Sequence, residues 1–246
     1  ADQISDAVVD YCLKHDKDSR VAVETLVKDN HVILAGEVKT GAILTDEILR
    51  ELAANVIHDI GYTDQAEIFN STDFEFQNLI GLQSQDISQG VDQANSEVIG
   101  AGDQGIMYGY ACNETTTKMP LAYTLACKLM ERQQELLHDE INVLRPDAKA
   151  QVTLEYNDAG EAIRADTVLL STQTTHDVDA EFISQYVRDE IIRPVIGDLI
   201  DEDTIILVNP TGRFVVGGPV GDCGVTGRKI VADSYGGAAR HGGGAY

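Results

Sequence analysis

With 246 residues, 43% of them hydrophobic, the chain can bury a substantial core and has room for one large domain or two ordinary ones. Its 41 acidic against 18 basic residues give a net charge of −23, a field that repels DNA, RNA and anionic lipid at long range. That argues against a nucleic acid polymer or a membrane as partner and leaves small anions open.

The first segment places Ile4, Ala7, Val8, Tyr11 and Cys12 on one helical face, with Asp2, Asp6 and Asp10 elsewhere on the wheel, which predicts a surface helix. Arg20–Lys28 and His31–Lys39 are β-rich runs joined at Asp29-Asn30 and read as a hairpin; residues 45–60 return to helical spacing before Gly61. Residues 83–95 are polar, with Ile87 and Val91 the only large apolar side chains, and fit either a lid or a plain surface connection. A further helix is predicted over residues 120–138, with Pro120 suited to its first turn. The earlier grammar then recurs: a strand at 150–156, a turn at 157–160, a strand at 162–171, a helix over about 178–193 and a strand at 204–208. Two readings stand, a repeated β-β-α unit or a chance likeness of common motifs; both predict antiparallel-rich sheet covered by helices.

Residues 212–246 hold 11 of the 22 glycines, together with Arg213, Arg228, Lys229 and Arg240 and only Asp222 and Asp233 as acids. Glycine lets backbone N–H groups approach a ligand, and Arg and Lys neutralise phosphate oxygens, so this basic island suggests a nucleotide site; tight turns at strand ends are the alternative. The G-x-G-x-x-G match at residues 100–105 lacks the strand before it and the helix after it, which leaves a glycine turn holding Asp103. Residues 217–229 have no glycine five before a Gly-Lys pair and are not a P-loop. In Arg145-Pro146-Asp147-Ala148-Lys149, Lys149 would project at a strand's start as a phosphate partner or as a merely solvated lysine.

The four cysteines (Cys12, Cys112, Cys127 and Cys223) form no C-x-x-C pair, and the six histidines show no H-x-x-x-H spacing. Carboxylates with phosphate would suit Mg²⁺ better than imidazole would. No run approaches the ~18 apolar residues of a membrane span, and Ala1-Asp2-Gln3 lacks the basic start of a signal peptide, so the expected location is the cytoplasm.

Taken in order, ADQISDAVVD, GAGDQGIMYGYACNET, LRPDAKAQVTLEY, NPTGRFVVGGPVGDCGVTGRKIVADSYGG and ARHGGGAY resemble S-adenosylmethionine synthetase (methionine adenosyltransferase). The resemblance implies an α+β fold of similar β-β-α units around a pseudo-threefold axis. Residues 1–84 would be the N-terminal unit, 85–97 a mobile gating loop (the matching stretch begins at Gln83), 98–217 the central unit and 218–246 the start of an incomplete C-terminal unit. It implies homodimers, commonly paired into homotetramers, with sites at the subunit interface. The implied reaction makes S-adenosylmethionine from ATP and L-methionine, with tripolyphosphate hydrolysed to pyrophosphate and phosphate, and uses Mg²⁺ and K⁺.

By matching motif positions, the resemblance assigns Asp147, Lys149, Arg213, Phe214, Arg228, Lys229 and Ala245 to ATP, and Asp222 to the space between ATP and methionine. Lys149, Asp222, Arg228 and Lys229 are the implied catalytic groups. Glu37 and Gln83 match methionine contacts, Glu24 the potassium ligand and Asp103 the acid facing the adenosyl product. The family's magnesium-binding aspartate lies in a His-Pro-Asp segment before the equivalent of Ala1, and a lysine- and aspartate-bearing loop follows the equivalent of Tyr246. Residues 1–246 by themselves are therefore expected to turn over little. A non-catalytic nucleotide- or subunit-binding role and another Mg²⁺-dependent nucleotide transferase are the competing functions.

Overall fold

The computed structural model describes residues 1–82, 105–139, 141 and 143–243. The chain divides into two units, one formed by Ala1–Met107, Pro219–Ile230 and Gly242–Tyr246, the other by Tyr108–Gly218 and Val231–His241.

In the first unit, helix α1 (Asp2–His15) buries Ile4, Val8 and Cys12, the four-residue recurrence that made it legible. Strands β1 (Arg20–Lys28) and β2 (His31–Lys39) pair antiparallel in unbroken register, Lys28 opposite His31, with Asp29 at a φ of 51° in the turn. Helix α2 (Asp46–Ile60) begins at Thr45, whose side chain accepts the Ile48 N–H at 3.3 Å, and buries Leu49, Ala53 and Ile57. It leads into β3 (Glu75–Leu82), which lies parallel to β2; β7 (Gly224–Val225) closes the order β3-β2-β1-β7. Alternation sends Val23, Val27, Val32 and Leu34 into the core with the two helices. Glu24, Glu37 and Leu79 have the opposite parity and are exposed.

One backbone position in this sheet admits only glycine. Gly36 has a φ of 133°, and a Cβ there would stand 2.0 Å from the Ala22 carbonyl oxygen across the ladder.

In the second unit, helix α3 (Leu121–Glu135) follows Pro120, and the Glu114 carboxylate accepts the Leu121 N–H at 2.7 Å, satisfying a first-turn donor. Strands β4 (Leu144–Tyr156) and β5 (Ala162–Thr174) form an antiparallel pair whose register slips between Leu144 and Ala148. Helix α4 (Ala180–Val187) is capped by Asp179, whose Oδ1 accepts from Glu181 and Phe182. It continues through a π turn at Arg188–Ile192 into α5 (Arg193–Ile196), and Ile183, Val187, Ile191, Ile192 and Ile196 join Leu125, Leu129, Val168 and Leu170 in the core. Strand β6 (Ile205–Val208) pairs parallel with β5, giving β4-β5-β6.

The protein is thus α+β, and both units run hairpin, helix, then a third strand parallel to the second. The sheets are mixed, with three of the five described strand pairings antiparallel, because each β-α-β crossover returns its last strand parallel to the strand it left. Two expectations need correction. Strand β4 starts at Leu144, so Lys149 lies inside the strand and not at its start. The helix expected over about 178–193 is interrupted by the π turn and ends at Ile196.

Candidate active site

In the first unit, residues 224–226 of the glycine-rich stretch are stitched onto β1. Gly224 and Val225 pair with Val27 and Leu26, and the Thr226 N–H extends the ladder to the Thr25 carbonyl at 3.0 Å. Gly227 then turns at a φ of 70°, a conformation that side chains rarely adopt, and its N–H reaches Asp2 Oδ1 at 2.8 Å. Arg228 and Lys229 follow immediately, both exposed, ahead of the helical turn Ile230–Asp233. On the other side of β7, Asp222 is exposed and its Oδ1 accepts the Cys223 N–H at 2.8 Å. The Lys28 ammonium holds the segment just before it, donating to the Pro219 and Val220 carbonyls at 3.3 and 3.0 Å.

Glu24 and Glu37 stand on the sheet face turned away from the helices. Glu24 faces Ala35, while Glu37 faces Ala22 on one side and Gly81 on the other, small neighbours that leave both carboxylates exposed. The register makes them diagonal neighbours on one surface. Thr25, beside Glu24, is the residue on which the Arg228-Lys229 segment is anchored.

In the second unit, Asp147 sits in the register slip of β4, half-buried, and its Oδ2 accepts the Gly218 N–H at 2.9 Å. Two residues on, Lys149 pairs with Ser171 and is exposed on the face away from the helices. The loop after β6 is laid along the end of β5: Asn209 Oδ1 accepts the Thr172 N–H at 2.8 Å, and the Phe214 carbonyl accepts the Thr174 N–H at 2.9 Å. The buried Gln173 side chain adds a bond from Nε2 to the Val215 carbonyl at 2.8 Å. Arg213 is exposed and donates from Nη2 to the His176 carbonyl. Phe214 and Arg213 border a pocket of about 180 Å³ with Val178, Ile183 and Val208, an apolar slot with one cation at its rim.

Gln83, Asp103 and Ala245 lie outside the described residues, as does the stretch assigned to the gating loop. Among the described residues no three His, Cys, Asp or Glu side chains converge as metal ligands. The donor set among the described residues therefore does not by itself fit either cation. Two groups escaped the sequence reading: Gln173, a polar residue at the end of an apolar run, and Thr226, inconspicuous among glycines. Their only local signal is a polar side chain where strand alternation demands burial.

Three family models match consecutive stretches of the chain: S-adenosylmethionine synthetase, N-terminal domain, over residues 1–85; the central domain over 98–214; and the C-terminal domain over 216–246. The chain belongs to the S-adenosylmethionine synthetase family. In this family member, Glu24 and Glu37 fall within the N-terminal domain match, Asp147, Lys149, Arg213 and Phe214 within the central one, and Asp222, Arg228 and Lys229 within the C-terminal one. No helix among the described residues is long and apolar enough to cross a membrane.

Proposed function

We propose that the protein is a methionine adenosyltransferase, joining L-methionine to the adenosyl group of ATP. The observation that carries this reading is the run of three synthetase domains in order, with a cationic Arg228-Lys229 pair anchored beside an acidic sheet face. The order of domains favours a transferase over a role in binding alone.

The methionine sulfur donates a lone pair to C5′ of ATP as the C5′–O bond breaks, and that bond's electron pair leaves on the triphosphate oxygen. A sulfonium forms from a neutral thioether, so no general base is needed; hydrolysis of the released tripolyphosphate then gives phosphate and pyrophosphate. Lys149, Arg228 and Lys229 would neutralise the leaving polyphosphate, where preorganised charge is most effective. Phe214 would pack on the nucleobase in the apolar slot, and Arg213 would stand at its rim. Asp222 and Asp103 would face the developing positive charge, and Glu37 and Gln83 would hold methionine. Ala245 would meet the nucleotide through its backbone. Mg²⁺ would further neutralise the triphosphate when bound, and Glu24 would supply K⁺ with one of the several oxygen ligands it needs.

Asp147 has a different part in this scheme. One of its oxygens is committed to the Gly218 N–H, so it would shape the phosphate-facing loop as well as contact ATP. Functional complexes are proposed to be homodimers or homotetramers. Steady-state kinetics on Lys149→Ala and Lys229→Ala in the full-length protein tests the assignment: a fall in kcat with methionine KM nearly unchanged supports it, and wild-type turnover overturns it.

A further inference from the structure

Three hydroxyls from distant parts of the chain meet inside the first unit. Ser5 of α1, Thr25 of β1 and Thr226 of the island are all buried, 2%, 1% and 7% exposed. Ser5 Oγ lies 2.8 Å from Thr25 Oγ1 and 3.0 Å from Thr226 Oγ1. Thr226 Oγ1 accepts the Thr25 N–H at 2.7 Å and donates to the Thr25 carbonyl at 3.3 Å. One arrangement of the three protons satisfies every group: Thr25 donates to Ser5, Ser5 to Thr226, and Thr226 to the Thr25 carbonyl. A buried network with all its members satisfied resists displacement, because any slip strands polar groups away from water.

We propose that Thr226 is a positioning residue, whose place in this hydroxyl relay with Ser5 and Thr25 fixes where Arg228 and Lys229 point. The relay grips the chain two residues before Arg228, and the Gly227 N–H to Asp2 grips the residue between, so the cation pair leaves a segment tied to both α1 and β1. The two cations themselves are exposed and take their direction from the backbone beneath them. The inference rests on the reading of Arg228 and Lys229 as polyphosphate ligands.

The test compares Thr226→Val, which keeps the shape and removes the hydroxyl, with Thr226→Ser, which restores it, and with Arg228→Ala, all in the full-length protein. Each is checked for folding by circular dichroism below its own melting temperature. Thr226→Val is expected to lose roughly tenfold or more in kcat with methionine KM within about twofold, and Thr226→Ser to regain most of that loss. A folded Thr226→Val with wild-type kcat, beside an Arg228→Ala that has lost activity, overturns the positioning role and leaves the cation assignment standing. Wild-type activity in Arg228→Ala and Lys229→Ala overturns the assignment beneath it and the proposal with it. Should Thr226→Val fail to fold, Ser5→Ala breaks the same relay from its middle and is read by the same split between kcat and KM.

Discussion

At the scale of single residues, the basic island was legible because glycine and cationic side chains crowd 212–246 in a chain otherwise dominated by acid. Its internal division of labour was not, since composition cannot tell an arginine that reaches solvent from one whose guanidinium meets a carbonyl, as Arg213 does with His176. The cations proposed to act on the leaving group are Lys149, Arg228 and Lys229, each of them exposed. Removing Lys149 or Lys229 is expected to lower kcat about a hundredfold, the scale of losing one charge aimed at a transition state, and steady-state kinetics reads it. Asp147→Asn keeps an oxygen for the Gly218 N–H, whereas Asp147→Ala leaves that donor without its acceptor. The alanine variant is expected to be the less stable by about 1 kcal/mol in denaturant titration.

A second residue-level prediction concerns acid stability. Arg164 holds Asp201 through two hydrogen bonds, at 2.6 and 2.9 Å, and the Asp201 carboxyl lies well below the usual carboxylate range because of that guanidinium, with the Thr204 hydroxyl helping. A carboxylate depressed in the folded state contributes stability above its unfolded pKa, and the contribution is lost as pH falls through the folded value. Asp201→Asn should therefore lower the melting temperature at neutral pH and converge on the wild-type protein in strong acid. Melting curves from pH 7 downward check this; an offset that does not shrink on acidification contradicts it.

At the scale of elements, α1, α2 and the first hairpin were legible because period and punctuation agree: Ile4, Val8 and Cys12 on one face, Thr45 and Gly61 at the helix ends. Strand β3 was not, because Asn78 interrupts the apolar alternation of Phe76 and Ile80 and its partner β2 lies a whole helix away. The start of β4 was hidden by Pro146 and three charged residues, which the register slip absorbs. The π turn left no trace in spacing, since Ile191 and Ile192 fit a continuous helix equally well on paper. Within β2, Gly36→Ala is expected to destabilise the protein by ~2 kcal/mol or more, because the methyl group would fall on the Ala22 carbonyl in a backbone conformation hostile to side chains. Denaturant unfolding measures it, and an unchanged midpoint would mean the strand relaxes freely.

At the scale of the whole molecule, the three domain matches place the chain in the S-adenosylmethionine synthetase family, and its two units share one hairpin-helix-strand order. The resemblance of short motifs found the family; the structure adds how those motifs are anchored, which no motif spells out. If the site is completed across subunits, as the family resemblance implies, specific activity should fall on dilution in step with dimer dissociation followed by sedimentation. The central claim is adenosyl transfer to methionine, and the most direct measurement follows the full-length protein with ATP, L-methionine, Mg²⁺ and K⁺, quantifying S-adenosylmethionine, phosphate and pyrophosphate together. The three products should appear in equal amounts, only when methionine is present, and should collapse in Lys229→Ala. Phosphate release that ignores methionine, with no S-adenosylmethionine formed, would contradict the account.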